Sequence, residues 1–127
     1  MNENQMAKKR FHYLIADRDS VSMGDDASSH VRKWKISGDE TIADAVSILL
    51  TDHLPDNPPN RTETWLLLCH DVELAIVQQN WDNPIFLVDA DKEAREYFDD
   101  RGDLPIYSKC LWADKKEKFF REHGIKR

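Results

Sequence analysis

The sequence predicts an α+β protein: a mixed sheet of about four to five strands crossed by one helix, with a helical extension at the C-terminal end. Three observations carry this reading. The chain has 127 residues, of which 40% are hydrophobic and 33% charged; that is one domain's length, with enough apolar surface to close a single core. Phe11 to Asp17 is rich in aromatic and branched residues, and Val31 to Ile36 alternates with the period of a half-exposed strand. A stretch beginning at Thr41 repeats its apolar side chains at helical spacing instead.

The elements follow in order. Met1 to Arg10 is polar and aperiodic and reads as a flexible basic arm. Phe11 to Asp17 (FHYLIAD) is rich in aromatic and branched residues and predicts a first strand. Asp17 to Ser29 gathers Asp, Ser and Gly, residues that hydrogen-bond their own backbone, and predicts a loop. Val31 to Ile36 places Arg32, Trp34 and Ile36 on one face and Val31, Lys33 and Lys35 on the other, so the first two strands are expected to pair antiparallel. Thr41 with Asp44 has the spacing of a capping box, and Ile42, Ala45, Val46, Leu49 and Leu50 then mark a helix from Thr41 to about His53. Pro55 and the prolines of LPDNPPNRTE prevent its continuation.

Trp65 to Cys69 and Leu74 to Val77 flank the polar quartet His70-Asp71-Val72-Glu73 and predict a hairpin covered on both faces. Ile85 to Val88 adds a further strand. Ala90, Ala94, Tyr97 and Phe98 predict a second helix from about Asp91 to Asp100, ended by Gly102. LPIYSKCLW is read as one short strand. Asp114 is placed as the cap of a last helix that carries Phe119 and Phe120 and stops at Gly124. The whole stretch from 11 to 127 is expected to form one α+β domain, with 11–88 as its body and 89–127 as the extension.

The succession of strand, strand, helix starting at GDETIADAV, loop, hairpin and strand over Phe11 to Val88 resembles the β-grasp or ubiquitin-like arrangement. That resemblance implies a compact scaffold of the kind that often serves as a docking surface. The chain ends Gly124-Ile125-Lys126-Arg127 without a Gly-Gly pair, so it implies no conjugation or sulfur-carrier chemistry.

Charge is unevenly distributed. The 18 Lys plus Arg and 24 Asp plus Glu leave a formal charge of −6. Lys8, Lys9 and Arg10 lie in the arm, and Lys109, Lys115, Lys116, Lys118, Arg121, Lys126 and Arg127 lie at the other end. The stretch between, Phe11 to Tyr107, therefore holds 8 basic and 20 acidic side chains. Such an acidic body repels nucleic acid and suits a basic groove on a partner protein. With no run of about 20 apolar residues, no signal peptide pattern and only Cys69 and Cys110, the expectation is a soluble cytoplasmic protein that keeps both thiols reduced.

No constellation of residues meets the demands of a catalytic or cofactor site, so none is assigned as catalytic, cofactor-binding or metal-binding. Asp89 and Asp91 follow the apolar run IFLV, where paired carboxylates hold divalent cations in some phosphoryl-transfer enzymes, yet Asp in that position also caps helices. An EF-hand starting at Asp17 fails at Val21, Ser22 and Ser28. His12, His30, His53, His70 and His123 include no pair four apart, and the cysteines form no CxxC, so no zinc motif exists. Gly24, Gly38, Gly102 and Gly124 are isolated, which excludes a phosphate-cradling loop. Trp34 and Trp65 belong to strand patterns and the core. Trp81 and Trp112 fall in less regular sequence and are candidate docking anchors.

The sequence thus points to a non-catalytic protein-interaction module, of the kind a phage or mobile element uses as a small inhibitor or adaptor. It would dock through its sheet edge, its Trp81 loop or a negative face. Trp81, Trp112, Asp25, Asp26, Asp99 and Asp100 are its candidate contact residues. Two alternatives stand beside it: a small metal-dependent hydrolase or transferase using Asp89 and Asp91, and a nucleic-acid-binding protein using the segment from Lys109 to Arg127.

Overall fold

The structure, a computed structural model, describes residues 11–21, 29–55 and 63–126. The basic arm over 1–10, Asp25 and Asp26, and most of the proline-bearing stretch lie outside the described residues. Within them the chain forms β1 (His12–Arg18), β2 (Arg32–Ile36), α1 (Ile42–Asp52), β3 (Thr64–Cys69), β4 (Val72–Gln78), β5 (Ile85–Phe86), a 3-10 turn (Ala94–Tyr97), β6 (Leu104–Leu111) and α2 (Ala113–Glu122). This is a small α+β fold built on one mixed sheet of six strands, in the order β2-β1-β6-β3-β4-β5.

β6 holds the sheet together. Read from its sequence as one short strand, it is instead the eight-residue strand inserted between β1 and β3. It runs parallel to β1, with Leu14 opposite Leu104 and Ala16 opposite Ile106, and antiparallel to β3, with Trp65 opposite Cys110. Its strict alternation explains the assignment: Leu104, Ile106, Ser108 and Cys110 all turn into one buried face.

The two faces of the sheet are covered differently. On the first, α1 buries Ile42, Ala45, Val46 and Leu49 against Leu14, Ile36, Trp65, Leu67, Leu104 and Ile106. An isolated helix of this length is marginal in water, and each fully buried aliphatic side chain contributes about 1.5–3 kcal/mol, so packing rather than propensity holds α1 in place. On the second face, Phe119 and Phe120 of α2 close a smaller cluster with Leu66, Ile76 and Leu111, and Trp81 fills its rim. Lys116 reinforces that contact by donating to the Gln78 side chain at 3.2 Å.

The N-terminus of α1 is capped twice. The predicted box is present: Thr41 Oγ1 accepts from the Asp44 amide at 3.1 Å, and Asp44 accepts from the Thr41 amide at 3.0 Å. Two further orphan amides are taken by a distant segment, Ile42 donating to Lys92 O at 2.9 Å and Ala43 to Ala90 O at 3.0 Å. Ala94 in turn donates to Glu40 O. This explains why the helix expected over Asp91 to Asp100 is reduced to the turn Ala94–Tyr97. Its carbonyls and amides are engaged with α1, and a helix there would need the same groups for itself.

Other expectations are corrected locally. The Ile85 to Val88 strand pairs only through Ile85 and Phe86. Asp114 lies in the first turn of α2, where it favours the helix dipole, while Trp112 occupies the cap position without a side-chain bond. The β3–β4 turn is two residues, not four, because His70 and Asp71 both adopt positive φ (50° and 69°), the backbone a tight primed hairpin turn requires. The register then slips between Leu67 and Leu68, leaving Leu74 without an opposite residue. This bulge keeps both Leu74 and Ala75 buried.

Two predictions follow from these contacts. Asp71 holds a left-handed conformation that glycine adopts freely, so Asp71→Gly is expected to raise the unfolding free energy by about 0.5–1 kcal/mol in urea melts. The second concerns His123, which stacks on Phe119 at 3.8 Å and meets Glu73 at 3.0 Å. The hydrogen bond to Glu73 raises its pKa above the ordinary 6.5. The protonated form is therefore the one the folded state favours: its stabilisation is complete below that ordinary value and is lost as pH rises through the raised one. The stability gap between wild type and His123→Gln should accordingly be wider at acidic than at alkaline pH, and a gap independent of pH would contradict the clamp.

Candidate functional site

Alternation along the strands, combined with the position of α2, creates an uncovered half-face. β1 presents Tyr13, Ile15 and Asp17 to the second face, continued by Phe11. Beside them β2 presents Lys33 and Lys35, continued by Val31, and β6 presents Pro105, Tyr107 and Lys109. Ile15 lies between Lys33 and Pro105, and Tyr107 between Asp17 and Leu68. α2 packs over β3 and β4, so no helix among the described residues covers this half. Phe11 (48% exposed), Val31 (47%) and Tyr107 (39%) are left large, apolar and open to water.

At one end of this half-face lies a groove of about 440 Å³ lined by Ile15, Val31, Leu68, Pro105 and Tyr107, with Asp17, His70 and Asp71 at its rim. Asp19 stands behind it, accepting the Tyr107 hydroxyl with one oxygen and the Cys110 amide, at 2.8 Å, with the other. Partial burial, then the hydrogen bond to Asp19 and the charges of Asp19 and Asp17, push the Tyr107 phenol up to about 12. Asp17, Asp19 and Asp71 thus place three carboxylates at this end. The opposite end is positive: Lys35 Nζ lies 3.9 Å from the Phe11 ring centroid and Lys33 Nζ 5.5 Å from that of Tyr13, distances at which cation and ring attract.

The residues singled out in the sequence fall elsewhere. Trp81 is half-buried, its ring centroid 6.2 Å from that of Phe120, and plugs the cluster beneath α2. Trp112 is 46% exposed at the start of α2. Asp99 accepts the amides of Arg101 and Asp103 at 2.9 and 3.0 Å, and these bonds, the one to Asp103 foremost, hold its carboxyl below the ordinary range. It shapes the turn leading into β6, and Asp100 is exposed beside it. Asp89 accepts the Asp91 amide at 3.0 Å, a local turn bond, and among the described residues no three potential ligands gather about a common point. Of the basic C-terminal residues, Lys115, Lys116, Lys118 and Arg121 lie on α2, and Lys116, Arg121 and Lys126 border a second groove floored by Phe120 and Ile125.

A second group of acidic side chains lies away from the open half-face. Asp39, Glu40 and Asp44 at the start of α1 meet the segment carrying Asp89, Asp91, Glu93 and Glu96 through the α1 cap bonds and the Arg95–Asp39 ion pair. The open half-face itself was not identified in the sequence. Its only signal was the alternation of Tyr13 and Ile15 with Leu14 and Ala16, which reads equally well as a strand covered on both sides.

Both thiols are buried. Burial foremost, with the Asp99 charge adding to it, pushes Cys69 up to about 12, so almost no thiolate exists near neutral pH. Native protein at pH 8 is expected to react with an aromatic disulfide at least ~100-fold more slowly than free cysteine, and both thiols to react promptly in denaturant. Fast native labelling of one thiol would contradict this. No protein family, curated protein or solved structure matches this chain.

Proposed function

We propose that this protein is a non-catalytic protein-interaction module that docks through the uncovered half of its sheet. One observation carries the reading: Val31 and Tyr107 expose large apolar surfaces at a groove beside an edge strand, and Phe11 does so at the other end of the same half-face; large apolar side chains exposed together on one sheet face of a small domain mark an interaction site. Hairpin, helix and a late strand returning beside the first also support a β-grasp-like scaffold, which offers rigid strands for docking. The buried thiols fit action in the cytoplasm. A role as a small inhibitor or adaptor from a phage or mobile element agrees with the acidic body, which would discourage adventitious nucleic-acid contacts.

Among the candidate anchors, the half-face takes precedence over Trp81, which is occupied in packing, and over Trp112, a single exposed ring at the start of α2. The test is a pull-down with the full chain from lysate of its source organism, comparing wild type with Ile15→Arg and Trp112→Ala. A protein retained in stoichiometric amount by wild type and Trp112→Ala, and lost with Ile15→Arg at unchanged melting temperature, is the expected result. Equal retention by all three variants would overturn the half-face as the docking site.

A further inference from the structure

We infer that the occupant of the open half-face is an extended segment of a partner protein with opposite charges at its two ends: a lysine or arginine beside an aliphatic residue, and an acidic residue about four positions away. This rests on the interaction reading above and adds the chemistry of the partner.

The argument is one of charge and spacing along β1. The groove end has an apolar floor made by Ile15, Leu68 and Pro105, and carboxylates at its edge from Asp17 and Asp71, with Asp19 behind Tyr107. Its described lining contains no lysine or arginine; Lys109, the next outward residue of β6, lies one pair further on, opposite Leu66. A floor and rim of this kind accept a side chain with an apolar stem and a cationic head, which buries the stem and leaves the head at the carboxylates. At the other end Lys33 and Lys35 lean over Tyr13 and Phe11. The nearby Asp103 is buried and accepts the Tyr13 amide at 3.0 Å, so the groups a ligand meets at this end are the lysine heads. That end accepts a carboxylate.

Asp17 and Tyr13 are four residues apart on one face of one strand, about 13 Å at ~3.3 Å per residue, which fixes the separation the ligand must match. Among the described residues no strand lies beside the outer side of β2, the first strand in the sheet order, so an extended segment has room to lie along the face or join the edge. A uniformly acidic chain or a single-stranded nucleic acid would meet Asp17, Asp19 and Asp71 at the groove end. A uniformly basic chain would meet Lys33 and Lys35. Only the bipolar segment is matched at both ends.

The experiment selects a displayed library of random peptides of about ten residues, long enough to span both ends, on the immobilised full chain. Enriched sequences are then re-measured by fluorescence anisotropy against wild type, Ile15→Arg and the pair Lys33→Glu/Lys35→Glu, each checked for an unchanged melting temperature. The expected result is enrichment of Lys or Arg next to an aliphatic residue with Asp or Glu about four positions away, binding lost with Ile15→Arg and weakened about fivefold or more by the lysine reversal. Enriched peptides of uniform charge or without a charge pattern, if still lost with Ile15→Arg, overturn the inference and leave the docking face standing. Peptides indifferent to Ile15→Arg, or no enrichment at all, overturn both. Tighter binding of labelled oligothymidine than of any peptide, or a dimer of this chain dissolved by Ile15→Arg, would replace the inferred occupant with nucleic acid or a second copy.

Discussion

The structure depends on β6 entering the sheet between β1 and β3. Without it the sheet would divide into the two-stranded β1–β2 ribbon and the β3–β4 hairpin with its two-residue edge strand β5, and a two-stranded ribbon is marginal in water. With it, every outward and inward position on both sides is determined, because a one-residue slip would turn Leu104, Ile106 and Cys110 to the opposite face and expose them. The parallel pairing of β1 with β6 joins residues far apart in the chain, such as Leu14 and Leu104. Such pairing carries a substantial loop-closure cost, recovered only when both hairpins dock together.

From that insertion follows the unequal treatment of the two faces. α1 covers the first, and its hold is strengthened because the segment around Ala90 and Lys92 completes its N-terminal hydrogen bonds. α2 is shorter in reach, and its Phe119 and Phe120 cover only the β3–β4 side of the second face. The remainder is stabilised as an exposed surface by other means: lysines stacked on aromatic rings, charges on the edge strand, and a proline on β6. Lysines on an edge strand also discourage chance strand pairing between copies.

The average charge of −6 conceals a division that only the folded chain makes visible. Carboxylates crowd the α1 cap and its partner segment, while Lys33 and Lys35 lie on the open half-face within a stretch whose sequence is strongly acidic. Asp99 directs one oxygen to the amides of Arg101 and Asp103, contacts that its sequence neighbours do not announce. Trp81 illustrates the same point for apolar residues. Lying in irregular sequence, it has the pattern of an exposed anchor, but Phe120, nearly forty residues away in the chain, provides its packing partner.

What the sequence alone determined is what depends on near neighbours in the chain. The aromatic and branched residues of β1, the period of two in β2, the spacing of Ile42, Ala45, Val46 and Leu49, the Thr41–Asp44 box and the glycine that ends α2 are all local, and all are present in the fold. What the tertiary structure decided is what depends on partners distant in the chain. It made LPIYSKCL the central strand, turned the expected second helix into a cap for α1, and left the β2–β1–β6 half-face uncovered. The physical reason is that a backbone group or an apolar face has no fixed assignment until its partner is specified. For β6, for residues 90–94 and for Tyr13, Ile15 and Tyr107, that partner, or the lack of a covering helix, is set by elements tens of residues away.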